Sequence, residues 1–140
     1  MADRCDSIVA FFGSGMAPSG SEDPLGLRRA AYGLVRIVTE TPLRLNIISM
    51  VHQALQTLNG QGGTVHGTSQ QVSEVVAFIL DRLRFYGRQH LGLREDVMEA
   101  VTRLPNPAVC DLADLLARMQ ALQGIVHQPD FEPLMIGVKR

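Results

Sequence analysis

Tryptophan is absent from this 140-residue sequence, and only five phenylalanines and two tyrosines are present. A core built from this composition has to be mostly aliphatic. Cysteine is equally scarce, because Cys5 and Cys110 are the only two and no CxxC spacing occurs. We therefore expect no disulfide framework, two buried thiols on apolar helix faces, and a reduced, cytoplasmic protein.

The sequence also lacks an excess of either charge. Thirteen Lys and Arg residues against fourteen Asp and Glu residues give a formal net charge of −1. No global positive field therefore draws the chain to nucleic acid, DNA is not an expected partner, and any RNA contact has to come from local arginine clusters. No apolar run reaches the roughly 18 residues that a membrane span needs, so no membrane partner is expected.

Apolar residues recur at helical spacing along most of the chain. No stretch alternates with a period of two, so the sequence predicts an all-α fold without a sheet. About seven helices are predicted, over residues 2–12, 24–40, 42–58, 70–91, 94–104, 107–128 and 131–138.

Several helix ends carry local signals. Asp23-Pro24 and Asn106-Pro107 each join a capping side chain to a proline, whose missing N–H costs nothing in the first turn. Residues 68–71 (TSQQ) have the S/T-x-x-Q form of a capping box. Gly92 is placed to end the helix that follows this box.

Glycine is concentrated in two segments. Residues 13–23 (GSGMAPSGSED) cannot hold a helix, and residues 59–67 (NGQGGTVHG) contain four glycines in nine positions. The second segment predicts a flexible linker. We therefore predict two helical groups, one over residues 1–58 with three helices and one over residues 68–140 with four.

Three segments of the chain carry a recognisable pattern. Residues 2–37 combine ADRCDSIVAFF, a Gly/Pro loop and DPLGLRRAA. Residues 78–101 contain DRLR before a short helix with DV and AV, and residues 111–140 end in a Lys-Arg pair. Together these segments resemble the beta subunit of bacterial glycyl-tRNA synthetase, and residues 2–37 are the most specific part of the match. In this family, the first group resembles the C-terminal helices of an HD-like domain. The second resembles part of a DALR-like anticodon-binding domain.

The resemblance implies a part of the enzyme that attaches glycine to tRNA(Gly) with ATP. In that family the alpha subunit binds ATP, Mg²⁺ and glycine, and it joins the beta subunit in a heterotetramer. We therefore expect tRNA(Gly) and the alpha subunit as partners, and no cofactor or catalytic residue in this chain, which is predicted to be inactive by itself. Further chain is expected on both sides of it.

Six residues are candidates for contact with tRNA, because guanidinium groups and aromatic rings bind phosphates and unstacked bases. The candidates are Arg28, Arg29, Arg82, Arg84, Tyr86 and Arg88. Arg28 and Arg29 adjoin the Gly/Pro loop, where they either grip phosphates or pair with carboxylates on a helix surface. Arg84 and Arg88 share one row of their helix, whereas Arg82 lies off that row. Surface arginines with stems packed on apolar neighbours would give the same pattern.

Asp3 matches the last aspartate of an HD-type metal pattern, but the histidines and the His-Asp pair of that pattern are missing here. No metal site is therefore predicted, and Asp3 is interpreted as a helix-start aspartate. Two alternatives stay open. One is a part of an HD-type metal-dependent phosphohydrolase, and the other is a helical protein-interaction module.

Overall fold

Six α-helices make up the part of the chain that this computed structural model describes, which is residues 2–18, 23, 25–60, 68–103 and 110–128. They are α1 (Ala2–Gly13), α2 (Leu27–Glu40), α3 (Ile47–Gly60), α4 (Ser69–Leu91), α5 (Glu95–Thr102) and α6 (Leu112–Val126). Within these ranges there is no strand, and the one extended pairing is an isolated bridge between Asn46 and Asp111. The all-α prediction is confirmed. The predicted helix over 131–138 lies outside the described residues.

The six helices share one aliphatic core. Its largest fully buried side chains are Ile8, Leu27, Leu34, Ile47, Ile79, Leu83, Met98, Leu112 and Met119. These positions follow the three- and four-residue spacing of each helix, so every helix turns one apolar face inward. None of the described helices combines the length and the hydropathy of a membrane span.

Helices on both sides of residues 61–67 contribute to this core. Phe12 of α1 packs on Phe78 of α4 with ring centroids 5.2 Å apart. Helix α3 continues through Gly60 and so includes the first two residues of the segment predicted as a linker, while residues 61–67 lie outside the described residues. The division of the chain into two domains stays a prediction.

Helix α2 begins at Leu27, three residues after the predicted start at Pro24. Gly26, with φ +66°, precedes it in the left-handed region, which a helix cannot include. The Asp23 carboxylate nevertheless accepts from the backbone N–H groups of Arg28 (3.2 Å) and Arg29 (3.4 Å). Asp23 therefore serves the first turn as predicted, but from a position upstream of the ordinary cap.

Helices α3 and α6 also begin later than their proline signals predicted. The Asn46 side chain accepts from the N–H of Ser49 at 3.1 Å, and the Asp111 carboxylate accepts from the first-turn N–H groups of α6 at 2.9 and 3.0 Å. The N–H of Ile47 donates to the carbonyl of Cys110 at 2.9 Å. This hydrogen bond joins the segments at which α3 and α6 begin. The contact between the two segments, and not the prolines, therefore defines both helix starts.

The capping box and the terminal glycine predicted for α4 are confirmed. Thr68 Oγ1 accepts from the N–H of Gln71 at 3.2 Å, while the Gln71 side chain accepts from the N–H of Thr68 at 3.0 Å. Gly92, with φ +60°, ends the helix. In α5, Val97, Met98 and Thr102 are buried, whereas Ala100 is exposed.

Candidate nucleic-acid interface

Helix α4 carries four of the six predicted contact residues. Because side chains three or four positions apart share a face, Arg84 and Arg88 project from one side of the helix. Arg82, Phe85 and Tyr86 project from another. The structure therefore separates the candidates on α4 into two sets, one beside α5 and one beside α2.

The first set braces α5. Arg84 is partly buried, and its Nε donates to the hydroxyl of Thr102 at 2.8 Å. That hydroxyl in turn donates to the carbonyl of Met98 at 2.8 Å. Arg88 pairs with Glu95 at the start of α5, and 53% of its side chain stays exposed. Arg84 thus has a packing role besides its charge, whereas Arg88 lies mainly at the surface.

The second set joins an aromatic cluster of Tyr32, Phe85, Tyr86 and His90. Tyr32 of α2 meets Phe85 edge to face, with ring centroids 5.7 Å apart and planes at 76°. Tyr86 packs on His90 with centroids 4.8 Å apart, and the Tyr32 hydroxyl lies 2.6 Å from His90 Nε2. Three of these rings are adjacent on α4, but Tyr32 reaches them only through the packing of α2 on α4.

The two helices that carry this cluster also carry Arg28, Arg36 and Arg82. Arg82 lies over the Phe85 ring, with Cζ 5.8 Å from the centroid. On α2, Arg28 and Arg36 lie one turn before and one turn after Tyr32, in the same row of the helix. We call the aromatic cluster together with these three arginines the α2–α4 surface.

Carboxylates moderate the charge of this surface. Arg36 Nε donates to Glu40 at 2.8 Å, and Arg82 pairs with Asp81. The hydrogen bond with Glu40 raises the pKa of Arg36 and lowers the pKa of Glu40, with a smaller lowering from His90. The surface therefore consists of aromatic rings and ion pairs, in keeping with the net charge of −1.

Arg29 lies away from the cluster, at the start of α2. Its side chain is 83% exposed, and its Nε is 3.9 Å from the Asp23 carboxylate. Arg29 therefore combines a loose ion pair with an open side chain, and its contact with tRNA stays a prediction.

The described ranges contain neither a cluster of metal-ligating side chains nor a reactive thiol. No three His, Cys, Asp or Glu side chains there come together in a way that could hold a metal ion. Asp3 is exposed in the first turn of α1, where its carbonyl accepts from the Ser7 hydroxyl at 2.8 Å. Cys5 and Cys110 are buried as predicted, and burial raises the pKa of both thiols, that of Cys5 to about 12. Neither is poised as a nucleophile.

Comparison with known proteins decides the family. The sequence profile described as glycyl-tRNA synthetase beta subunit matches residues 1–103. The chain belongs to the glycyl-tRNA synthetase beta subunit family. It is 34% identical to the glycine–tRNA ligase beta subunit of Acidobacterium capsulatum, 34% identical to that of Rhodospirillum centenum and 36% identical to that of Aromatoleum aromaticum.

Each of these matches covers 100% of the chain. The chain spans 19%, 18% and 19% of the length of these three relatives, in the same order. The family predicted from the three segments is thus confirmed over the whole chain, including the part after residue 103. The chain accounts for about a fifth of a beta subunit in this family.

Proposed function

We propose that this chain positions tRNA(Gly) as part of the beta subunit of a glycine–tRNA ligase. The aminoacylation site, with its ATP and Mg²⁺, lies on the alpha subunit of the heterotetramer, and the chain contributes no bond-making residue. The observation that carries the proposal is the arrangement of arginines and aromatic rings on α4 and α2, in a chain of this family.

The charge distribution sets the mode of contact. With a net charge of −1, the chain has no long-range field for RNA, so its contribution has to be local. Arg84, Arg88 and the arginines of the α2–α4 surface can bind phosphates, which fixes the orientation of the RNA without reading its sequence. The Arg36–Glu40 and Arg88–Glu95 pairs are exposed on both sides, and exposed ion pairs contribute only about 0–1 kcal/mol. A phosphate can therefore replace these carboxylates.

The experiment is a titration of tRNA(Gly) against the intact enzyme carrying Arg84→Ala and Arg88→Ala. We expect affinity to fall about tenfold for each phosphate contact that is lost. The slope of log affinity against log salt should fall by about one for each such contact. Arg118→Ala is the matched control, because Arg118 is 57% exposed and pairs with Asp114 on α6.

Arg84 needs a second variant, since its bond to Thr102 also holds α5. Arg84→Lys keeps the charge but loses the planar group that reaches this hydroxyl. If Arg84→Ala weakens binding through charge, the lysine variant restores most of the affinity. Unchanged affinity and salt slope in the double alanine variant, with thermal unfolding like that of the parent, would contradict the proposal.

A further inference from the structure

Phe85 is the feature of the α2–α4 surface that the phosphate contacts leave unexplained. It is 42% exposed on a helix whose other apolar side chains mostly face the core. The large hydrophobic side chains that are exposed in the described ranges are Met16, Leu25, Leu43, Phe85, Leu91 and Ile125. Phe85 is the aromatic one among them.

The exposed ring is held in place. Tyr32 contacts it edge to face, and Arg82 lies over it. Tyr32 is itself fixed by its hydroxyl contact with His90, so the support reaches across two helices. A ring oriented in this way loses little conformational freedom when a flat ligand packs on it, which lowers the entropic cost of binding.

The neighbouring groups select the kind of ligand. A nucleobase stacks on a phenylalanine ring, and the phosphates on either side of it would meet guanidinium groups. Arg82 also has a buried Nε–H without a hydrogen-bond partner in the described part of the chain, so a small shift toward an acceptor on the ligand would satisfy it. A purely apolar peptide would offer no hydrogen-bond acceptor to these guanidinium groups.

We propose that Phe85 stacks on an unpaired base of the bound tRNA, with Arg82 beside the ring for a flanking phosphate. Only an unpaired base can reach the ring, because bases inside a duplex already stack on each other. This inference rests on the proposed function and deepens it. It assigns the α2–α4 surface to single-stranded RNA and leaves duplex phosphates to other contacts, such as Arg88.

The test uses the intact enzyme with Phe85→Ala, Phe85→Leu and Phe85→Trp. Since stacking of one base contributes about 1–3 kcal/mol, Phe85→Ala should weaken tRNA(Gly) binding roughly 5- to 150-fold. The salt slope should not change, because phenylalanine makes no phosphate contact. Phe85→Leu keeps apolar area and should still bind weakly, whereas Phe85→Trp should bind as tightly as the parent.

Two controls complete the design. Leu43→Ala removes an apolar side chain that is also 42% exposed and should leave affinity unchanged. A blunt-ended RNA duplex without a loop should bind the parent and Phe85→Ala equally. Thermal unfolding of each variant, and its co-elution with the alpha subunit, show whether fold or assembly has changed.

The outcomes separate the two proposals. Parent-like affinity of Phe85→Ala, alongside weaker binding of the Arg84 and Arg88 variants, would overturn stacking and leave tRNA positioning in place. Parent-like affinity of all of these variants would overturn both proposals. If Phe85→Ala instead releases the alpha subunit, the ring belongs to a protein interface and the stacking proposal is wrong.

Discussion

Arginine side chains in this chain are mostly held by carboxylates close in sequence. The pairs in the described ranges include Arg36–Glu40, Arg82–Asp81, Arg88–Glu95, Arg94–Asp96, Arg103–Glu99 and Arg118–Asp114. Pairs that are exposed on both sides, such as Arg36–Glu40 and Arg88–Glu95, are weak, so they keep the free surface near neutrality without locking the arginines. RNA phosphates can therefore replace these carboxylates as partners of the arginines. A sequence with a net charge of −1 is compatible with such local binding.

The candidate residues on α4 could be chosen from the sequence, because arginines and a tyrosine stand close together on one predicted helix. Tyr32 could not, since it reaches His90 across 58 positions of the chain, and only the packing of α2 on α4 brings them together. The role of Arg84 was equally hidden, because its partner Thr102 lies on the next helix. Sequence patterns locate residues on an element, but contacts between elements decide what each side chain does.

Cys5 gives a pH-dependent prediction at this scale. Burial, with a smaller contribution from Asp6, raises its pKa from 9.0 to about 12. The unfolded chain therefore loses this proton near pH 9 while the folded chain keeps it, so stability is full below pH 9 and falls as pH rises toward 12. Denaturant titrations at pH 8 and pH 10 should show a smaller loss for Cys5→Ala than for the parent. Equal losses would contradict a buried, neutral thiol.

Helix starts in this chain follow two different rules. The capping box of α4 is local, and its residues predicted the start to within one residue. The starts of α3 and α6 depend on the pairing of Asn46 with Asp111, which are far apart in the sequence. Proline signals at Pro42 and Pro107 pointed upstream of both, because a proline permits a helix start without requiring one.

Substitution of Asp111 tests whether this pairing defines the start of α6. The Asp111 carboxylate accepts two N–H groups of α6 and lies 3.8 Å from Arg44, so Asp111→Ala should lower the free energy of unfolding by about 1–2 kcal/mol. Asp111→Asn keeps a capping oxygen and should cost much less, because the ion pair with exposed Arg44 is weak. Chemical denaturation of both variants measures the difference. Equal costs would place the contribution in the ion pair and not in the cap.

At the scale of the whole molecule, helices before and after residues 61–67 bury their apolar faces in a common core. The sequence predicted each apolar face from its period, but it could not predict that the faces meet each other. Glycine-rich composition predicts flexibility of a segment and carries no information about the packing of the helices on either side.

The common core predicts cooperative unfolding of the 140-residue chain. Leu34 of α2 is fully buried, so Leu34→Ala should destabilise the chain by about 2–5 kcal/mol. Hydrogen exchange followed by mass spectrometry should show the same loss of protection in α4 and α6 as in α2. Loss confined to α1, α2 and α3 would instead support two independent domains.

The central claim, that α4 and α2 present a surface to tRNA, is tested most directly by site-specific photo-crosslinking in the intact enzyme. Gln89 is exposed on α4, one turn after Phe85, and Gln120 is exposed on α6. A benzophenone amino acid at position 89 should crosslink to bound tRNA(Gly), and the same group at position 120 should not. Efficient tRNA binding without a crosslink from position 89, or with equal crosslinks from both positions, would contradict the claim.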